Sequence, residues 1–162
     1  MMGGQINTMM EEVYEVPVIR SRSPHEALDA TGLRKLTTDE VVAKMPRGKG
    51  DKVKIHLFCP GKFLTHETAD VEYAKRGLVP ADPYSLAAKN EEDPHLIDTR
   101  PNTTHWQDEN GNWCSATFYV EKPKGDAKEG ERFVCVVRND VGWEDTMWYA
   151  GVAIEEEEQK NP

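Results

Sequence analysis

Residues 104–120 read THWQDENGNWCSATFYV, and this stretch decides the fold. Asn110-Gly111 lies between two strand-like runs, Thr104–Gln107 and Asn112–Val120. Asn-Gly tolerates the positive φ angles of a tight turn, so the pair predicts a β-hairpin. The second run alternates. Cys114, Ala116, Phe118 and Val120 make an apolar face, and Trp113, Ser115, Thr117 and Tyr119 a mixed one. Period two is the signature of a strand.

Further along the chain the pattern repeats. Phe133, Cys135 and Val137 share one face of 132–138, with Val134 and Val136 on the other. After a turn at 139–145, Trp148, Ala150, Val152 and Ile154 share a face of 146–154. These runs predict an antiparallel meander, and apolar residues on both faces imply that one side meets helices.

Before the hairpin the chain is richer in helix. Residues 12–20 alternate as a strand, and Pro17, which cannot donate to a ladder, confines it to an edge. Ser23-Pro24 with Glu26 is a capping box with proline in the first turn, and Gly32 ends that helix. Thr37 with Glu40 repeats the box ahead of Val41 and Val42. Residues 52–59 read as a strand with Val53, Ile55 and Leu57 on one face. Thr65 caps a helix ending near Gly77, and Asp82-Pro83 and Asp93-Pro94 open helices over 83–90 and 94–97. The stretch 98–104 is polar and turn-rich.

Helices followed by strands point to an α+β fold. The expected architecture is an antiparallel sheet, a C-terminal three-strand meander plus one or two N-terminal strands, with short helices on one face. The chain has 162 residues, the length of one domain. The expected limits are a flexible N-terminus over 1–12, a single domain over 13–154 and an acidic disordered tail over 155–162.

The net charge is −9, but Glu155 to Glu158 and Glu11, Glu12 and Glu15 carry most of it. The folded body is nearly balanced, which weakens any case for a large acidic docking surface. Three cysteines, Cys59, Cys114 and Cys135, without a CxxC argue against a disulfide framework or a zinc ribbon. Residues 1–12 lack the basic and apolar segments of a secretory signal, and no run reaches the ~18 apolar residues of a membrane span. The expectation is a cytoplasmic protein without disulfides, membrane contact or cofactor.

Catalytic signatures are sparse. His56, Cys59, His66 and Glu67 cluster in sequence, but His56 and Cys59 fall on opposite faces of a strand and match no metal motif. Cys114 with His105 or His95 would place a nucleophile on the face expected to be core, where a thiol is inert. No catalytic or metal residue is therefore assigned. Arg47, Lys49 and Lys52, with Gly48 and Gly50, form a basic loop suited to phosphate or nucleic acid. It is no Walker loop and has no aromatic for base stacking, so nucleic acid is not the expected partner.

The aromatic residues remain. Trp106, Trp113, Tyr119 and Trp143 gather in the last third of the chain, and such side chains favour interfaces. The leading expectation is a non-catalytic domain that binds a protein partner, or a second copy of itself, through an aromatic-bearing sheet face. Two alternatives stand beside it. One is a small hydrolase or transferase with a polar cleft near His105 and Asp108 or the 140–145 loop. The other is a nucleic-acid accessory protein using the basic 44–54 loop.

Overall fold

The hairpin that opens the reading forms where the sequence places it. In the computed structural model, which describes residues 11–126 and 130–155, β5 (Asn102–Gln107) pairs antiparallel with β6 (Trp113–Val120), Gln107 facing Trp113. The Asp108 carboxylate accepts the amides of Asn110 and Asn112, and Gly111 turns at φ 81°. β6 continues antiparallel to β7 (Arg132–Arg138), with Thr117 opposite Cys135.

The next strand departs from the expected meander. β8 (Trp148–Ala153) does not lie beside β7. It inserts between β5 and β3 (Lys52–Phe58), parallel to β5 and antiparallel to β3. Trp148 to Val152 are all buried, and a strand without a wet face belongs at a sheet's centre. The free edge of β7 is taken by β2 (Arg34–Thr37), which runs parallel to it. β1 (Glu11–Pro17) closes the other edge, as Pro17 requires, and β4 (Leu78–Pro80) pairs with the outer half of β8. The eight strands among the described residues therefore form one mixed sheet, not a purely antiparallel one, ordered β1-β3-β8-β5-β6-β7-β2 with β4 on β8.

Helices cover both faces, which corrects the one-sided arrangement expected. On one face lie α1 (Pro24–Asp29), α2 (Asp39–Ala43), α4 (Pro83–Glu92) and α5 (Leu96–Thr99). Their Leu28, Val42, Leu86 and Ile97 pack with Ile55, Leu57, Phe118, Val136 and Ala150 in the main core. On the opposite face α3 (His66–Lys75) sets Ala69 and Tyr73 against Phe58, Leu78, Trp143 and Tyr149. This second core exists because β3 and β8 turn Phe58 and Tyr149 away from the first. The fold is α+β, a single sheet with two cores in one domain.

Local signals are realised where side chain and backbone meet directly. Ser23 and Glu26 complete a capping box with Pro24 in the first turn, Thr65 caps α3, and Asp82 caps α4. The Thr37 box does not form: α2 starts from Thr38 without a side-chain cap, because Thr37 is the last residue of β2. α5 opens after His95 instead of Asp93. β2, with one apolar residue in four, and β4, only three residues long, do not stand out in sequence. The polar stretch 102–104 is buried strand and not a turn, its side chains satisfied by bonds from Asn102 to Asn90 and from Thr104 to the Ala81 carbonyl.

Cys59, Cys114 and Cys135 are free thiols, and no helix among the described residues is long and apolar enough to cross a membrane. β1 already takes in Glu11 and Glu12. Of the N-terminus expected over 1–12 and the acidic tail expected over 155–162, residues 1–10 and 156–162 lie outside the described residues.

Candidate functional site

Strand alternation sorts the candidate residues onto two faces. In β5, His105 and Thr103 point toward α3, and in β6 so do Trp113, Ser115, Thr117 and Tyr119. Thr65 sets where α3 begins, which puts His66 in its first turn and Asp70 one turn on, four residues apart on the same side.

These elements bring together a buried polar chain. His66 Nδ1 lies 2.7 Å from His105 Nδ1, and His105 Nε2 lies 2.7 Å from Asp70 Oδ1. The Asp70 carboxylate can only accept, so His105 donates through Nε2. Neutral His105 then accepts at Nδ1, and His66 donates through its own Nδ1. This ordering leaves the lone pair of His66 on Nε2, a buried atom without a close hydrogen-bond partner. Asp70 is half exposed, so the chain runs from water at one end to the interior at the other. Burial, reinforced by the neighbouring His105, holds the His66 pKa below its usual value, while Asn139 and Glu67 pull weakly the other way.

Trp113 closes this chain from outside. Its ring lies parallel to both imidazoles, 4.7 Å from His66 and 4.5 Å from His105 between ring centroids. Its Nε1 donates to Glu67 Oε2 at 3.1 Å. Trp143 meets His66 edge-on at 4.6 Å, carried by a loop pinned through the paired Leu64 and Trp143 backbones. Around this group Trp113 is half-buried, while Phe63 and Val141 are exposed at 54% and 71%.

The expected aromatic site is only partly assembled. Trp113 and Trp143 come together, but Trp143 is buried and serves the second core. Tyr119 shares the face of Trp113 at the far end of β6, half-buried and stacked on Phe133 at 5.6 Å. Trp106 lies on the other face, packed against the main core. Cys114 also points into that core, and burial pushes its thiol pKa up.

The basic loop is braced from within. Arg20 donates to the carbonyls of Arg47, Lys49 and Gly50, and to Asp82 and Ser85. Arg47 turns inward, donating to the carbonyls of Arg20 and Arg22 with its guanidinium over the Tyr84 ring. Lys52 lies 3.9 Å from Glu15. Arg47 and Lys52 are thus both engaged within the protein.

Asp108 is occupied by the hairpin turn and lines a cavity of about 30 Å³ beside Trp106 and Arg138, room for about one water. His105 does not line that cavity; it sits beneath Trp113. Nothing in the sequence singles out Asp70, and His66 belongs to no metal motif. The i,i+4 spacing of His66 and Asp70 was visible, but their partner His105 is 39 and 35 residues away. No family model matches the chain, and neither curated proteins nor solved structures give a match.

Proposed function

We propose that this domain is a non-catalytic binding module whose working surface is the α3 side of the sheet, with Trp113 as its anchor. The observation that carries the reading is the state of Trp113. One side of the indole is clamped on two buried imidazoles and its Nε1 is tied to Glu67, yet the residue is only half-buried. A large aromatic ring already fixed in place loses little conformational entropy when a partner covers it. Hot spots at protein interfaces are often of this kind.

The surrounding surface supports the same use. Phe63 and Val141, which flank the paired Leu64 and Trp143 in the chain, add exposed apolar area. Further along the face Thr117, Tyr119, Cys135 and Val137 are half-buried, and Leu36 is exposed. The partner is therefore a protein surface with an apolar recess for the indole, either a different chain or a second copy of this one.

The test is in-cell crosslinking followed by intact-mass measurement of the recovered complex. The expected result is a stoichiometric partner cross-linked near β6 or residues 139–145, lost in Trp113→Ala and kept in Trp106→Ala, which lies on the other face. A partner retained equally by both variants would sink the reading, and so would recovery of the bare chain alone.

A further inference from the structure

At the other end of α3, on the same sheet face, a cleft of about 420 Å³ is walled by Lys62, Glu72, Lys75 and Arg76, with Cys59 at its base and Glu11 on its rim. None of these residues contributes to the Trp113 site. The volume falls in the range of small-molecule sites, about 300–1,000 Å³.

Its charge is unusual for this protein. Glu72 is nearly buried and receives three cations: Lys62 at 3.4 Å, Lys75 at 3.0 Å and Arg76 at 2.9 Å. Glu72 and Glu11 offset two of the three, so a surplus of one positive charge remains in a chain whose net charge is −9. Although burial opposes ionisation, bonds from Arg76 and Lys75 hold the Glu72 pKa down at about 2, so it stays an acceptor.

The cations differ in freedom. Arg76 is fixed, with its guanidinium 4.3 Å above the Phe58 ring and a further bond to the Glu72 carbonyl. Lys62 and Lys75 have side chains about 60% exposed and can swing from Glu72 onto an entering anion. One buried polar atom without a hydrogen-bond partner borders the region, His56 Nδ1, 3.5 Å from Glu11 Oε1.

From this arrangement we infer that the cleft binds a small phosphorylated molecule carrying hydroxyl groups. The phosphate takes Lys62 and Lys75, with Arg76 as the fixed positive wall. The hydroxyls donate to Glu72 and Glu11, which a bare anion cannot exploit. Lysines bind phosphate as mobile point charges, which suits two exposed arms around a rigid guanidinium.

Isothermal titration of the full chain at low ionic strength tests this, with glycerol 3-phosphate and inorganic phosphate as probes. Glycerol 3-phosphate should bind, and more tightly than inorganic phosphate. The double variant Lys62→Ala/Lys75→Ala, altered only at exposed positions, should weaken binding by at least about tenfold. Trp113→Ala should leave it unchanged, which keeps this site separate from the proposed protein interface. Absence of binding by the wild-type chain up to about 20 mM glycerol 3-phosphate would overturn the inference. Equal affinity in the double variant would do the same.

Discussion

Acidification from pH 7.5 to 5.5 should destabilise the fold through His66, by an amount that the buried chain sets. His66 is held neutral by burial first and by the adjacent His105 second, so its folded pKa lies below its unfolded value of about 6.5. The unfolded state therefore binds more protons as the pH falls. The stability contributed by neutral His66 is complete above about 6.5 and is lost as the pH drops from there toward the folded pKa. One histidine accounts for at most about 1.4 kcal/mol over the interval, the limit for a group that takes up its proton only in the unfolded state. With a urea m-value of about 2 kcal/mol/M, that moves the unfolding midpoint by up to roughly 0.7 M.

Tryptophan fluorescence reads the transition, since Trp113 and Trp143 both touch the imidazoles. The control is His66→Asn, whose side-chain amide nitrogen takes the place of Nδ1 and donates to His105 but cannot titrate. It lowers stability at pH 7.5 by removing part of a buried ring, yet its further loss on acidification should be smaller, by up to about 1.4 kcal/mol. The charged and titratable neighbours Glu67, Asp70 and His105 are present in both proteins. Glu72, with its pKa near 2, gives up its contribution only below about 4.5, outside this window. Equal pH-dependent losses in the two proteins would refute the reasoning.

Arg20→Lys should loosen the 46–51 loop, because one ammonium cannot replace a guanidinium serving the Arg47, Lys49 and Gly50 carbonyls together with Asp82 and Ser85. A loss of about 2 kcal/mol and faster amide exchange over residues 48–51 are expected, and unchanged protection there would contradict the bracing role. Gly142→Ala should destabilise by about 2 kcal/mol or more, since φ is +110° and the new Cβ would stand 2.2 Å from the Leu64 carbonyl oxygen. Strain there separates the Leu64 and Trp143 backbones, so Trp143 emission should shift to the red. A midpoint and spectrum like the wild type's would show that the loop yields without cost.

The features legible in the chain are local. The Asn-Gly turn, the alternation of β6, and the caps at Ser23, Thr65 and Asp82 each depend on groups within a few residues, where side-chain chemistry meets the backbone directly. Pro17 at an edge belongs with them, because a missing N–H limits a strand wherever it lies. Even here a neighbour can override the signal, as when β2 claims Thr37 and moves the α2 cap to Thr38.

Where β8 goes, which face α3 covers and what His66 meets follow from long-range packing alone. Alternation gives β8 one apolar face but not the strands that flank it, and β3 precedes it by about ninety residues. The same limit hid the functional candidates. His66, Asp70 and His105 are ordinary surface-type residues in sequence. They become a buried chain under Trp113 because the sheet order sets β5 beneath α3. Likewise Lys62, Lys75 and Arg76 become one cluster only when α3 folds back along the strand that leads to Cys59. Local physics selects the elements, whereas their partners follow from burying every apolar face at once, a condition that no single stretch of chain contains.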